Sequence, residues 1–126
     1  MKRSKARSMT VYERGSLVLV NFNPQRKSEE VGKVRPAIIV SDTDLNDVLD
    51  LVAAVPLTTN LIDNAEPLRV RIAPKDKLDK PSDAMIDQLR CIAKSRIIER
   101  IGTISDQEMG RITAGMEIML GIGSSA

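Results

Sequence analysis

The sequence predicts a mainly β (α+β) fold: a small, strongly bent barrel of six or seven short strands with a C-terminal helix. Three observations lead there. Short apolar or alternating runs recur along the chain, separated by polar, turn-rich segments. The connections lack crossover helices, which disfavours a parallel sheet. One stretch near the end does carry helical periodicity together with a start and a stop signal.

Taken in order, residues 1–9 read as a flexible basic arm, with Met9 as a candidate natural start, and residues 10–126 as a single domain. Residues 16–22, SLVLVNF, alternate and form the first strand. The polar segment 23–33, NPQRKSEEVGK, is a long loop. Residues 36–40, PAIIV, form a buried strand with Pro36 at its first position, where a missing N–H does least harm. Residues 41–48 make a short helical turn with Ser41 as cap. Residues 49–57 form a further buried strand, stopped by Pro56. After the turn-rich loop 58–67, residues 68–74 alternate, with Leu68, Val70 and Ile72 on one face and Arg69 and Arg71 on the other. Residues 75–83 read as a surface loop, 84–93 as one or two strands, 94–99 as a helical turn and 100–104 as a last strand. Ser105-Asp106-Gln107-Glu108 is a capping box. Met109, Ile112, Met116 and Met119 then mark a core-facing stripe, and Gly121 and Gly123 end the helix. Gly110 and Gly115 weaken it by about 1 kcal/mol each relative to Ala.

Composition narrows the function. The 126 residues are 42% hydrophobic, enough for one domain with its own core. One Tyr, one Phe and no Trp make base stacking on aromatic platforms an improbable main grip on nucleic acid. The net charge of +2 is concentrated in residues 1–8, which hold four basic side chains. The remainder has 15 Lys and Arg against 17 Asp and Glu, so a site for a polyanion must be a local patch. The absence of histidine excludes His-based acid–base catalysis, Ser-His-Asp chemistry and nearly all transition-metal sites. No cofactor is expected. The single cysteine, Cys91, fits a reducing compartment, and no run of about 18 apolar residues is available to cross a membrane. The expected location is the cytoplasm.

Four places could carry chemistry: Ser28-Glu29-Glu30 leading through Lys33 to Arg35-Pro36; Pro56-Leu57-Thr58-Thr59; Asp87-Gln88 with Arg90; and Arg69 and Arg71 with Lys75, Lys77 and Lys80 nearby. Each alone has an ordinary structural explanation, a solvated charge or a strand-end hydroxyl. Asp87-Gln88 within an apolar run is either a buried polar network or a site. The order and spacing of S-E-x-x-G-x-x-R-P, P-x-T-T and D-Q-x-R-x-I together resemble the MazF/PemK (Kid) family of toxin endoribonucleases. The resemblance runs from about Glu13-Arg14-Gly15 to the terminal helix. Lys33-Val34 adds one residue before Arg35 relative to the common pattern. The His and Arg used by one branch are replaced here by Ser28 and Met85, whereas the Arg/Thr version of the site is intact.

The resemblance implies an SH3-like barrel, a homodimer, metal-independent cleavage of single-stranded RNA, and neutralisation by a cognate antitoxin covering the RNA groove. It places Arg35 and Thr58 as catalytic residues, Glu29 as an acidic contributor, and Gln88 and Arg90 in the groove or a dimer contact. Metal-free cleavage has a nucleophile in the substrate's own 2′-OH. Arg suits the developing phosphorane because its planar fork stays charged and pairs two phosphate oxygens. Thr58 would hydrogen-bond a phosphate oxygen, and Glu29 is the candidate base. Arg26, Lys27, Ser28, Lys33, Thr59, Arg69, Gln88 and Arg90 are the candidate RNA-binding residues. Residues 25–35 hold four basic and two acidic side chains, and residues 69–80 five and two. Both patches predict salt-sensitive RNA binding. Two alternatives remain open: a gyrase-poisoning toxin of the same fold, resembling CcdB, although the tail IMLGIGSSA has no Trp; and an inactive barrel serving as an interaction module.

Overall fold

A computed structural model describes residues 12–22 and 34–123. The expected arm (1–9) and Arg26, Lys27, Ser28, Glu29 and Lys33 lie outside the described residues. Among the described residues, seven strands form one antiparallel, curled sheet: β1 (Ser16–Asn21), β2 (Val34–Ile39), β3 (Leu51–Thr58), β4 (Arg69–Ile72), β5 (Ser82–Met85), β6 (Arg90–Ala93) and β7 (Ile97–Thr103). Their order is β4-β5-β3-β2-β1-β7, and β6 pairs with the first half of β3. Helices α1 (Thr43–Val48) and α2 (Asp106–Leu120) complete the fold.

Alternation within the strands divides the apolar side chains between two clusters. One contains Leu17, Ile38, Val55, Leu57, Val70, Ile72 and Ile86, closed by Ile112 of α2. The other contains Val18, Val20, Phe22, Ala37, Ile39, Val52, Ala54 and Ile92. Arg35 and Thr58 follow the alternation of the second cluster, at its open end.

Both prolines sit inside strands, contrary to the sequence expectation that Pro36 starts one and Pro56 stops another. Val40 N–H donates to Ala53 O. The antiparallel alternation therefore makes Ala37 and Pro56 a non-hydrogen-bonded pair. The Pro56 nitrogen faces the other edge of β3, between the residues taken by β6 (51–54) and by β5 (57–58). The Pro36 nitrogen faces β3 one step beyond the last Ala37–Pro56 pair. The Pro56 ring therefore interrupts no ladder bond, and Pro36, with no N–H to give β3, lies where the β2–β3 pairing stops.

Other boundaries also move. Asp42, not Ser41, caps α1, accepting from the Asp44 and Leu45 N–H groups. Ser41 instead donates to Asn46 and accepts from Ala53 N–H. Leu68 is exposed and outside β4. Ser82 and Asp83, expected in a surface loop, are buried in β5. The 84–93 run is broken by a 3-10 turn, Ile86–Gln88. Asp87 and Gln88 are exposed on it, which removes the buried-network reading. The expected turn at 94–99 shrinks to Lys94–Arg96, and β7 begins at Ile97.

Helix α2 has the capping box read from the sequence: Glu108 N–H donates to Ser105 Oγ, and Ser105 N–H donates to the Glu108 carboxylate. Glu108 also accepts from Ala73 N–H at 3.0 Å and pairs with Lys75, which ties the helix start to the end of β4. Met109, Ile112 and Met116 face the core, but Met119 is exposed. Gly121 closes the helix in the left-handed conformation, φ 70°.

Candidate active site

The β2–β3 register pairs Ala37 with Pro56. Two residues beyond that last pair lie Arg35, at the start of β2, and Thr58, at the end of β3. Both belong to a cleft of about 290 Å³, lined also by Phe22, Pro56, Asn60, Arg69, Met85, Gln88 and Arg90. Of the predicted site residues described, the structure gathers Arg35, Thr58, Arg69, Gln88 and Arg90. Thr59 points the other way, as alternation requires, into a separate cavity of about 300 Å³ with Pro36, Lys77, Lys80 and Glu99.

Each cleft side chain is positioned differently. The Arg35 side chain is exposed and has no hydrogen-bond or ion-pair partner among the described residues. Thr58 Oγ1 accepts from Asn60 N–H at 3.1 Å, so its own O–H is available to donate. Arg69 donates to Asn60 O at 3.2 Å. The Arg90 guanidinium lies over the Phe22 ring, 4.5 Å from its centroid. Arg96 donates to Phe22 O at 3.1 Å and fixes the ring's backbone. Gln88 is exposed on the turn between β5 and β6. The cleft therefore offers three cationic forks, one hydroxyl and the two amides of Asn60 and Gln88 around a volume open to solvent. That donor set suits a phosphodiester, whose oxygens accept from planar guanidinium groups.

The basic patch read over residues 69–80 is largely neutralised within the fold. Arg71 donates to Asp83 and to Asp63, whose carboxylates hold the guanidinium above its usual range. Lys75 is taken by Glu108, and Lys77 lies 3.7 Å from Glu99. Only Arg69 of this group lines the cleft. Burial pushes the Asp83 carboxyl up, but the Arg71 hydrogen bond, the Ile62 N–H and the Arg69 charge outweigh it, and the group titrates below the ordinary range. For Glu108 burial also acts upward, and Lys75 with the Ser105 and Ala73 N–H groups brings the net shift down.

Phe22 and Asn60 were missed in the sequence. Phe22 is the only Phe of the chain and ends the alternating run 16–22, a signal for inward placement that says nothing of Arg90 lying over it. Asn60 lay in a loop whose path depends on tertiary contacts.

The fold and much of the sequence are shared with known proteins. A family profile of PemK-like, MazF-like toxins of type II toxin-antitoxin systems matches residues 13–120. The chain is 30% identical over 110 residues to the endoribonuclease MazF of Staphylococcus saprophyticus subsp. saprophyticus, spanning 86% of this chain and 91% of that protein. The crystal structure of MazF from Deinococcus radiodurans superposes with a TM-score of 0.70 at 26% identity, covering 87% of this chain and 96% of that one. An endoribonuclease from a mycobacterial species, in complex with its cognate antitoxin, shares the fold with a TM-score of 0.69 at 23% identity, covering 92% and 99%. With the profile covering most of its length, the chain belongs to the PemK-like, MazF-like toxins of type II toxin-antitoxin systems.

Proposed function

We propose that this protein is an endoribonuclease toxin that cuts single-stranded RNA in the Arg35–Thr58 cleft and is held inactive by a cognate antitoxin. The observation that carries this is the shared cleft: Arg35 of β2 and Thr58 of β3, each two residues past the last Ala37–Pro56 pair of these adjacent strands, line it together with Arg69 and Arg90. The relative from S. saprophyticus is an endoribonuclease. The D. radiodurans and mycobacterial relatives form complexes with antitoxins. Together these support the reading.

The substrate 2′-OH attacks the adjacent phosphorus while its proton passes to a base, for which Glu29 is proposed. The P–O5′ bond breaks, and the 5′ oxygen takes its proton from solvent as it leaves. The products are a 2′,3′-cyclic phosphate and a 5′-OH. Arg35 clamps the phosphorane oxygens, and Thr58 donates to one of them. Fixed donors aimed at developing charge make the largest usual contribution to such a step. Arg69 and Arg90 bind flanking phosphates, and the Gln88 amide can address the edge of an unstacked base. Arg26, Lys27, Ser28 and Lys33 are proposed to extend this grip, with Thr59 contributing from the neighbouring cavity. A homodimer and a cytoplasmic location belong to the same proposal. The exposed Ile118, Met119 and Leu120 of α2 supply apolar surface for a subunit contact.

The test is incubation of purified protein with single-stranded RNA in chelator, followed by end mapping. Fragments bearing 2′,3′-cyclic phosphate and 5′-OH ends are expected. Intact RNA would overturn the proposal, and intact RNA with inhibited DNA supercoiling would favour the gyrase-poisoning alternative.

A further inference from the structure

Asp83 is a carboxylate 1% exposed at the centre of β5. Ladder pairing sets it opposite Thr58 in β3 and opposite Arg71 in β4. A buried charge persists only when paired. One carboxylate oxygen accepts from Arg71 Nε at 2.5 Å, and the other from Ile62 N–H at 2.8 Å. The third neighbour, Arg69, stands 3.9 Å from Oδ2. That distance is beyond a hydrogen bond and well within electrostatic attraction. Arg71 is further occupied by Asp63 at 3.0 Å. The Arg69 side chain, 22% exposed, lines the cleft beside Arg35 and also a neighbouring cavity of about 640 Å³ beside Arg71 and Asp83. Asp83 itself does not line the cleft.

We propose that Asp83 is a positioning residue for RNA binding that acts through Arg69, an inference that rests on the nuclease reading above. Asp83 attracts Arg69 without capturing it: the Nη1 that stands 3.9 Å from Oδ2 donates to Asn60 O, while Arg71 and Ile62 N–H take the shorter contacts to the carboxylate. The guanidinium is thereby held on the wall between the two cavities with N–H groups left for phosphate. The Ile62 tie also anchors the segment that leaves Thr58 and carries Asn60, the carbonyl to which Arg69 donates. Without the Asp83 charge, Arg69 and Arg71 repel one another and compete for Asp63 and the loop carbonyls. Arg69 then leaves the cleft wall.

The experiment is steady-state cleavage of a fluorogenic single-stranded RNA oligonucleotide that the wild type cuts. It compares Asp83→Asn, Arg69→Ala and the double variant. Loss of a charge-assisted phosphate contact shared by ground and transition states raises KM about tenfold with kcat little changed. Asp83→Asn is expected to show that split, and the double variant to be no worse than Arg69→Ala alone. Unchanged KM in Asp83→Asn, multiplying effects in the double variant, or a fall in kcat alone would overturn the proposal. Should Asp83→Asn fail to fold by circular dichroism, Arg71→Gln replaces it. Asp83 then captures Arg69, so KM must rise in the wild-type background and stay level in Arg69→Ala. The opposite pattern overturns the proposal. A wild type that leaves every RNA intact removes the nuclease reading instead, and this inference with it.

Discussion

Arg35 stands apart from several other arginines among the described residues. Arg14 is bonded to Val40 O and Thr113, Arg100 to Ser16 and Thr103, and Arg71 to two carboxylates. Arg35 carries its charge on a strand with no such partner among the described residues, so its removal costs the fold little and the cleft a donor. Arg35→Ala is expected to lower kcat by about 10²–10³-fold, the usual effect of deleting one donor to developing charge. Its stability should stay within about 0.5 kcal/mol of wild type, as for surface substitutions generally. Thr58→Val keeps the shape and removes the hydroxyl, which also deprives Asn60 N–H of its acceptor. It should lower kcat by about 10-fold or more while leaving the Arg35 contribution in place. Single-turnover cleavage beside thermal melts checks both, and an Arg35→Ala protein that cleaves at the wild-type rate would remove Arg35 from the mechanism.

At the scale of elements, α2 shows what its two interior glycines do. A Cβ added at Gly110 meets nothing within 4 Å, whereas one added at Gly115 would lie 2.5 Å from Pro67 O and 3.3 Å from Ile86 Cγ1. Gly110→Ala should therefore stabilise by up to about 1 kcal/mol through helix propensity. Gly115→Ala should destabilise, because backbone must move to admit the methyl. Denaturant unfolding of both variants separates the two cases, and equal shifts would contradict the close approach of α2 to Pro67. The helix start gives a pH prediction. Glu108 titrates below the ordinary carboxylate range in the folded chain. Its contribution is whole above the unfolded value and is lost as pH falls through the folded one. Glu108→Gln should lower stability near neutral pH and flatten the decline on acidification, read as melting temperature from pH 7 to pH 3. The start and stop of α2 were legible in the sequence because Ser105, Glu108 and Gly121 act on residues three or four positions away. The strand prolines were not, since their tolerance depends on where β3 changes partner from β6 to β5, a matter of register between distant segments.

At the scale of the whole molecule, the same division holds for the site. Arg35, Thr58, Gln88 and Arg90 were legible as residues in a characteristic order. Asp83 was not, because only the β3–β5–β4 register brings it beside Thr58 and Arg71, and Asn60 was not, because its loop is placed by the bonds to Thr58 Oγ1 and Arg69. The sequence also placed a basic patch over residues 69–80, and the fold spends most of it on internal acids, leaving Arg69 to join Arg35 and Arg90 from other elements. This redistribution is measurable. Single-stranded nucleic acid binding loses about 0.7 in the slope of log affinity against log salt for each phosphate contact removed. Anisotropy with a 2′-O-methyl oligonucleotide, which cannot supply the nucleophile, reads that slope without cleavage. Arg90→Ala should lower its magnitude by about 0.7, because Arg90 is held over Phe22 and faces the cleft. Lys77→Ala should leave the slope unchanged, because Lys77 belongs to the other cavity and lies against Glu99. Equal changes from the two substitutions would mean that RNA follows the linear basic patch, and the three-arginine cleft would cease to be the electrostatic centre of binding.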